Sequence, residues 1–196
     1  MEYDKLTVED TINSFSSEGM DIKRYAEQIK VAPSGERAIS TTDKPILATT
    51  FTFSCTNVLF YNDDFSYLVH LTPSQTVGKK DFFENNINEI KDIMSSTENG
   101  NFLNVLVSLG CSSDAKQNTK FHDLKYIKEQ LKDLSSFASD SNFEINLLPV
   151  MRSKYLLYDY RDKTILLKAM ENFNNIEELE KQGNLISRQK IKKTIR

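Results

Sequence analysis

Apolar residues along the chain repeat with two different periods, and the switches between them sketch a fold. Between Met1 and Lys30 the period is helical: Ile22, Tyr25, Ala26 and Ile29 share one face, and Thr7 with Asp10 makes a capping-box-like start. This stretch is expected to pack as an N-terminal arm. From Val31 to Pro45 the residues Pro33, Ser34, Gly35, Ser40, Thr41, Thr42 and Pro45 interrupt any period. A connector is predicted there, with a short strand around Arg37 to Ser40. Ile46 to Thr72 then carries short runs of β-branched, aromatic and aliphatic residues, among them Ile46, Leu47, Val58, Leu59, Phe60, Tyr67, Leu68 and Val69, which predict strands.

The second half repeats the alternation. Phe83, Ile87, Ile90 and Met94 form one stripe of a helix over Asp81 to Ser95, stopped by Glu98-Asn99-Gly100. Asn101 to Gly110 reads as an apolar strand, and Phe121 to Ala138 as a second helix with Leu124, Ile127, Leu131, Leu134 and Ala138 on one face. Phe143 to Val150, Lys154 to Tyr160 and Thr164 to Ala169 are strand-like, the last two joined by a turn at Asp162-Lys163. A short helix over Asn175 to Gln182 and a tail with Arg188, Lys190, Lys192, Lys193 and Arg196 complete the chain. This order predicts an α/β (α+β) layered sandwich: a largely antiparallel β-sheet core flanked by two amphipathic helices. The expected division is a helical arm over 1–30, one domain over 31–170, and a C-terminal helix and basic tail over 171–196.

Composition narrows the function classes. Of 196 residues, 39% are hydrophobic, enough to fold around a core, and the net charge of −3 argues against a general nucleic-acid binder. The tail cations have no interleaved aromatics and read as a solvated end. No apolar run is long enough to span a bilayer, and Met1 to Asp10 lacks the apolar core of a signal peptide, so a soluble chain is expected. Two cysteines and two histidines support neither a disulfide scaffold nor a zinc cluster, which points to a reducing compartment and to no metal or cofactor. Only 6 glycines are present, and neither a dinucleotide-binding fingerprint nor a P-loop occurs.

The candidate chemistry lies in Thr49 to His70. If Asn62 and Asp63 close a hairpin that pairs Tyr61 with Asp64, the register sets Cys55 directly opposite His70. A thiol beside an imidazole is the minimal nucleophilic pair, because the ring can take the thiol proton and leave a thiolate. Thr49, six residues before Cys55, has the parity to share its face on a continuous strand; Thr49, or Thr50 of opposite parity, could supply the oxygen that orients the imidazole. The plainer alternative is that Cys55 is a small buried hydrophobe and His70 a hydrogen-bonded strand residue. Cys111 at a strand end and His122 at a helix start read as structural and surface residues.

These residues resemble a known family. Gly35-Glu36-Arg37-Ala38-Ile39-Ser40, Thr49 before the Ser54-Cys55 pair, the following apolar strand, Tyr61 and His70 are similar in order to the chemotaxis-receptor glutamine deamidases of the CheD family. The 15-residue interval from Cys55 to His70, with Val69-His70-Leu71-Thr72, also resembles the catalytic domain of cytotoxic necrotizing factor toxins. The resemblance covers about Lys30 to Ala169 and implies a Cys55 nucleophile, a His70 base and a Thr49 orienter. Phe53, Phe65 to Val69 and Gly110-Cys111 depart from the glycine-rich CheD pattern, which implies a divergent, effector- or toxin-like member acting on another protein target.

The function expected is hydrolysis of a glutamine side-chain amide in a protein through a thioester, in the cytoplasm or after delivery into a host cell. Transglutamination, another cysteine-dependent acyl hydrolysis and a catalytically inactive protein-binding module remain alternatives. Nucleic acid is not an expected partner, and no membrane span is expected.

Overall fold

A computed structural model describes residues 7–17, 19–50, 55–77, 81–96, 102–108, 112–113, 119–120, 124–140, 144–148 and 153–169. Cys111, His122, the expected helix over 175–182 and the cationic tail lie outside the described residues. The elements run in the order α1 (Val8–Ser16), a 3₁₀ turn (Lys23–Gln28), β1 (Ile29–Val31), β2 (Arg37–Ile39), β3 (Ile46–Thr50), β4 (Thr56–Tyr61), β5 (Ser66–Leu71) and α2 (Pro73–Val77). They continue with α3 (Asp81–Ser96), β6 (Phe102–Ser108), β7 (Ser112–Ser113), β8 (Thr119–Lys120), α4 (Leu124–Asp140), β9 (Glu144–Leu148), β10 (Ser153–Asp159) and β11 (Thr164–Ala169).

The strands form an α+β sandwich with two main sheets, a four-stranded sheet in the order β1-β3-β10-β11 and a five-stranded sheet in the order β2-β5-β4-β6-β9. Pairing is largely antiparallel, with β1–β3 and β6–β9 as the parallel pairs. Leu47, Leu156 and Tyr158 of the first sheet meet Leu59, Leu68 and Leu106 of the second in a buried seam closed by Ala32 and Ala38. Side chains alternate across a strand, so the intervening residues of β4 and β5, including Val58, Phe60, Tyr67 and Val69, pack on the opposite face against α3 and α4. Burial on both faces explains the unbroken apolar runs of these strands.

The helices follow their stripes. Phe83, Ile87, Ile90 and Met94 of α3 and Ile127, Leu131, Leu134 and Ala138 of α4 enter the same cluster on the outer face of the five-stranded sheet. The outer face of the four-stranded sheet is covered by the N-terminal segment: Phe15, Ile22 and Ile29 pack on Ile46, Ala48, Tyr155 and Leu157. Helix α1 begins with the expected capping box, in which Thr7 Oγ1 accepts from the Asp10 amide at 3.1 Å and the Asp10 carboxylate accepts from the Thr7 amide at 2.9 Å. The arm is therefore a layer of the sandwich, and it feeds directly into β1. Lys163, at φ 59°, makes the expected turn before β11. No helix among the described residues is long and apolar enough to cross a membrane.

Candidate active site

The site is built at one end of the seam, where the hairpin β4–β5 and the segment 32–36 meet β3. The hairpin register differs from the sequence expectation. Asn62 Oδ1 accepts from the amides of Asp64 at 2.8 Å and Phe65 at 2.9 Å, and the Asn62 amide donates to the Phe65 carbonyl at 3.1 Å. This Asx turn makes a four-residue loop, Asn62 to Phe65, so Tyr61 pairs with Ser66 and His70 faces Asn57, not Cys55. The displacement is two residues. Because it is even, regular strand geometry continued one residue before β4 would give Cys55 the parity of Asn57 and a diagonal position to His70, at roughly 7–8 Å between backbones.

The segment 32–36 links the two residues. Ser34 and Gly35 form the middle of a tight turn, closed by the Glu36 amide donating to the Pro33 carbonyl at 3.0 Å, and Gly35 takes φ +80°, as the third position of a type II turn requires. The turn presents the Gly35 amide to the His70 carbonyl at 2.8 Å, and the His70 amide donates to the Glu36 carbonyl at 3.0 Å. On its other side Ser34 Oγ lies 3.7 Å from Cys55 Sγ. Both backbone groups of His70 thus point toward β2, which leaves His70 and Asn57 as a non-hydrogen-bonded pair, the kind whose side chains come closest, with Cβ atoms ~4.5–5.5 Å apart.

Thr49 meets His70 across the seam. Its Oγ1 lies 2.8 Å from His70 Nδ1 and donates to the Ala32 carbonyl at 2.9 Å. A hydroxyl has one proton; with that proton on Ala32 O, Thr49 accepts from Nδ1–H, and Ala32 O lies 3.3 Å from the same nitrogen. Hydrogen bonding therefore assigns the Nδ1–H tautomer and leaves the lone pair on Nε2, which has no hydrogen-bond partner. The expected reason for this contact is corrected: Thr49 and Cys55 do not share a continuous strand, because β3 and β4 belong to different sheets. Thr50 has the other parity, and its buried hydroxyl has no partner.

Burial sets the electrostatics. His70 is 1% exposed, and loss of hydration pushes its pKa down to about 4, opposed by the Ala32 carbonyl. The ring is neutral at pH 7. Cys55 is 8% exposed and Thr49 is fully buried. The structure thus brings Thr49, Ala32 and His70 into one hydrogen-bonded group, with Cys55 in contact with the same 32–36 turn through Ser34. No thiol–imidazole hydrogen bond is formed, since Nε2 is unpartnered.

Sequence reasoning missed Asn57. It is 0% exposed, lies between His70 of β5 and Ser108 of β6 in a polar row across three strands, and neither Oδ1 nor Nδ2 has a partner. The signal was present in Asn62-Asp63-Asp64-Phe65, since an Asx turn on Asn62 sets the register that pairs Asn57 with His70. The Ala32 carbonyl is a backbone group and left no mark in residue types. Among the described residues no group of three or more His, Cys, Asp or Glu side chains is placed to hold a metal ion.

Neither a scan against protein-family models nor a search of curated proteins returned a match to this chain.

Proposed function

We propose that this chain is a divergent cysteine-dependent amidohydrolase of the CheD-like kind that converts a glutamine side chain of a protein target to glutamate. The observation that carries this reading is the Thr49–His70–Ala32 group, which fixes a neutral imidazole with Nε2 unpartnered, beside a 32–36 turn whose Ser34 meets the Cys55 thiol. A buried histidine serving only to pack would be expected to satisfy both nitrogens.

In the reaction, Cys55 Sγ attacks the carboxamide carbon as its proton passes to His70 Nε2. The tetrahedral adduct collapses, His70 returns the proton to the departing nitrogen, and ammonia leaves a thioester on Cys55. Water then attacks the thioester carbonyl, giving its proton to Nε2, and the C–S bond breaks to release glutamate and the thiol. Thr49 and Ala32 hold the ring and disperse the imidazolium charge through Nδ1–H in both steps. Catalytic hydrogen bonds are commonly loose before substrate arrives, which accommodates a thiol on the diagonal position.

The test is to incubate the chain with a cell lysate in oxygen-18 water and map peptides in which glutamine has become heavy-labelled glutamate. Sites produced by the native chain and absent with Cys55→Ser are expected. A site pattern identical in the two would overturn the reading.

A further inference from the structure

Asn57 has no role in the scheme above, and its setting is costly. Burying a carboxamide without hydrogen bonds disfavours folding by about 1–3 kcal/mol per orphaned group, whereas a leucine, of the same branched shape, would carry no such cost. The flanking residues of the same face in β4 and β5, Leu59 and Leu68, are apolar and belong to the seam core. Within the polar row of His70, Asn57 and Ser108, the unpartnered carboxamide directly across from His70 marks a place where a polar group is to be met.

We propose that Asn57 is the specificity-determining residue of the site, recognising the primary carboxamide of the substrate by a pair of amide–amide hydrogen bonds. This rests on the reading of Cys55 and His70 as the hydrolytic pair. An asparagine side chain offers one acceptor and two donors, the complement of a glutamine carboxamide. Nδ2–H donates to the substrate carbonyl oxygen, and Oδ1 accepts from the substrate N–H.

Position supports the pairing. Cys55 and Asn57 are two residues apart, ~6.6 Å along an extended chain, a span that a carboxamide in contact with Sγ bridges. The carbonyl oxygen gains charge as the thiolate attacks, so the Nδ2–H bond strengthens in the transition state. Oδ1 holds the nitrogen beside His70 Nε2, the atom that must deliver a proton to it. The product carboxylate offers only acceptors and sets an oxygen against Oδ1, so glutamate is rejected where glutamine is bound.

The test uses two small electrophiles of similar size and no charge, chloroacetamide and chloroacetone. With either, Cys55 sulfur displaces chloride from the methylene carbon, the thiol proton going to His70 Nε2 and then to buffer. Only chloroacetamide has N–H groups for Oδ1 to accept. Rates of Cys55 labelling, read by intact mass and peptide mapping, are each divided by the rate with glutathione. The native chain is expected to favour chloroacetamide about tenfold after this correction, the equivalent of one net hydrogen bond of about 1.4 kcal/mol. Asn57→Leu is expected to bring the corrected ratio to about one while melting at or above the native temperature. Asn57→Ser, which makes a single hydrogen bond, is expected to lie between and serves should the leucine variant fail to fold. A native ratio near one with both electrophiles labelling Cys55 faster than glutathione would overturn carboxamide recognition and leave the Cys55–His70 reading standing. Labelling of Cys55 no faster than glutathione by either would overturn both.

Discussion

The buried state of His70 makes stability a direct readout of the candidate base. Its pKa in the fold is about 4 against an ordinary value of 6.5, with loss of hydration as the main cause. A lowered pKa on a base means that the unfolded chain binds the proton more readily. Stability from this group is therefore complete above about pH 6.5, declines as pH falls toward 4, and is gone below it. The gap between the two values corresponds to about 3 kcal/mol, undiminished by solvent because the ring is 1% exposed. Urea unfolding followed by circular dichroism between pH 7.5 and 4 measures it when native chain and His70→Gln are compared, since the carboxylates titrate in both and cancel in the difference. The native chain is expected to lose about 3 kcal/mol more than the variant across that window. The imidazole carbon resonance of His70 should report the same protonation, with a midpoint well below 6. Equal pH slopes in the two proteins, or a midpoint near 6.5, would refute the assignment of a neutral buried base.

The two adjacent threonines separate chemistry from packing. Thr49→Val removes the acceptor of Nδ1–H and is expected to lower turnover at least about tenfold, whereas Thr50→Val removes an unpartnered buried hydroxyl and should raise stability by about 1 kcal/mol with turnover kept; equal activity losses would place the effect in packing. Phe15→Ala empties the centre of the cluster between α1 and the four-stranded sheet and is expected to cost about 3–5 kcal/mol in urea unfolding. A loss under 1 kcal/mol would show that the N-terminal layer is not part of the cooperative fold.

Much of the architecture was legible because local and tertiary preferences agree. The stripe of Phe83, Ile87, Ile90 and Met94 and the Thr7–Asp10 box each announce their element. The division into two sheets was not legible. Strands such as Ile46–Thr50 and Ser66–Leu71 are buried on both faces, so no polar alternation says which layer a face meets. The contact of Thr49 with His70 was expected for a mistaken reason: it crosses the seam and follows from sheet packing, which spacing along one strand cannot encode. The hairpin register turned on which residues Asn62 captures with its side chain, a choice between even loops that leaves parity unchanged and moves every cross-strand partner by two. That is why the residue opposite His70 became Asn57. Helix α2 was missed because five residues are too short to show a period, and strand β1 because Ile29 continues the helical spacing of Ile22, Tyr25 and Ala26.

The Thr49–His70 contact joins two β-layers across a seam filled mainly by hydrocarbon, which makes the site a gauge of the gap between them. A hydrogen bond of 2.8 Å is lost when its partners separate by less than about an ångström, a displacement that leucine side chains absorb without exposing themselves to water. The amidohydrolase activity proposed above should therefore vanish ahead of the fold when mild denaturant or pressure dilates the seam. The same coupling narrows the drift open to this lineage. Leu47, Leu59, Leu68 and Leu156 touch no reacting atom, yet their combined volume sets the spacing at which the threonine reaches the ring, and a change in one would be retained only alongside a compensating change in another.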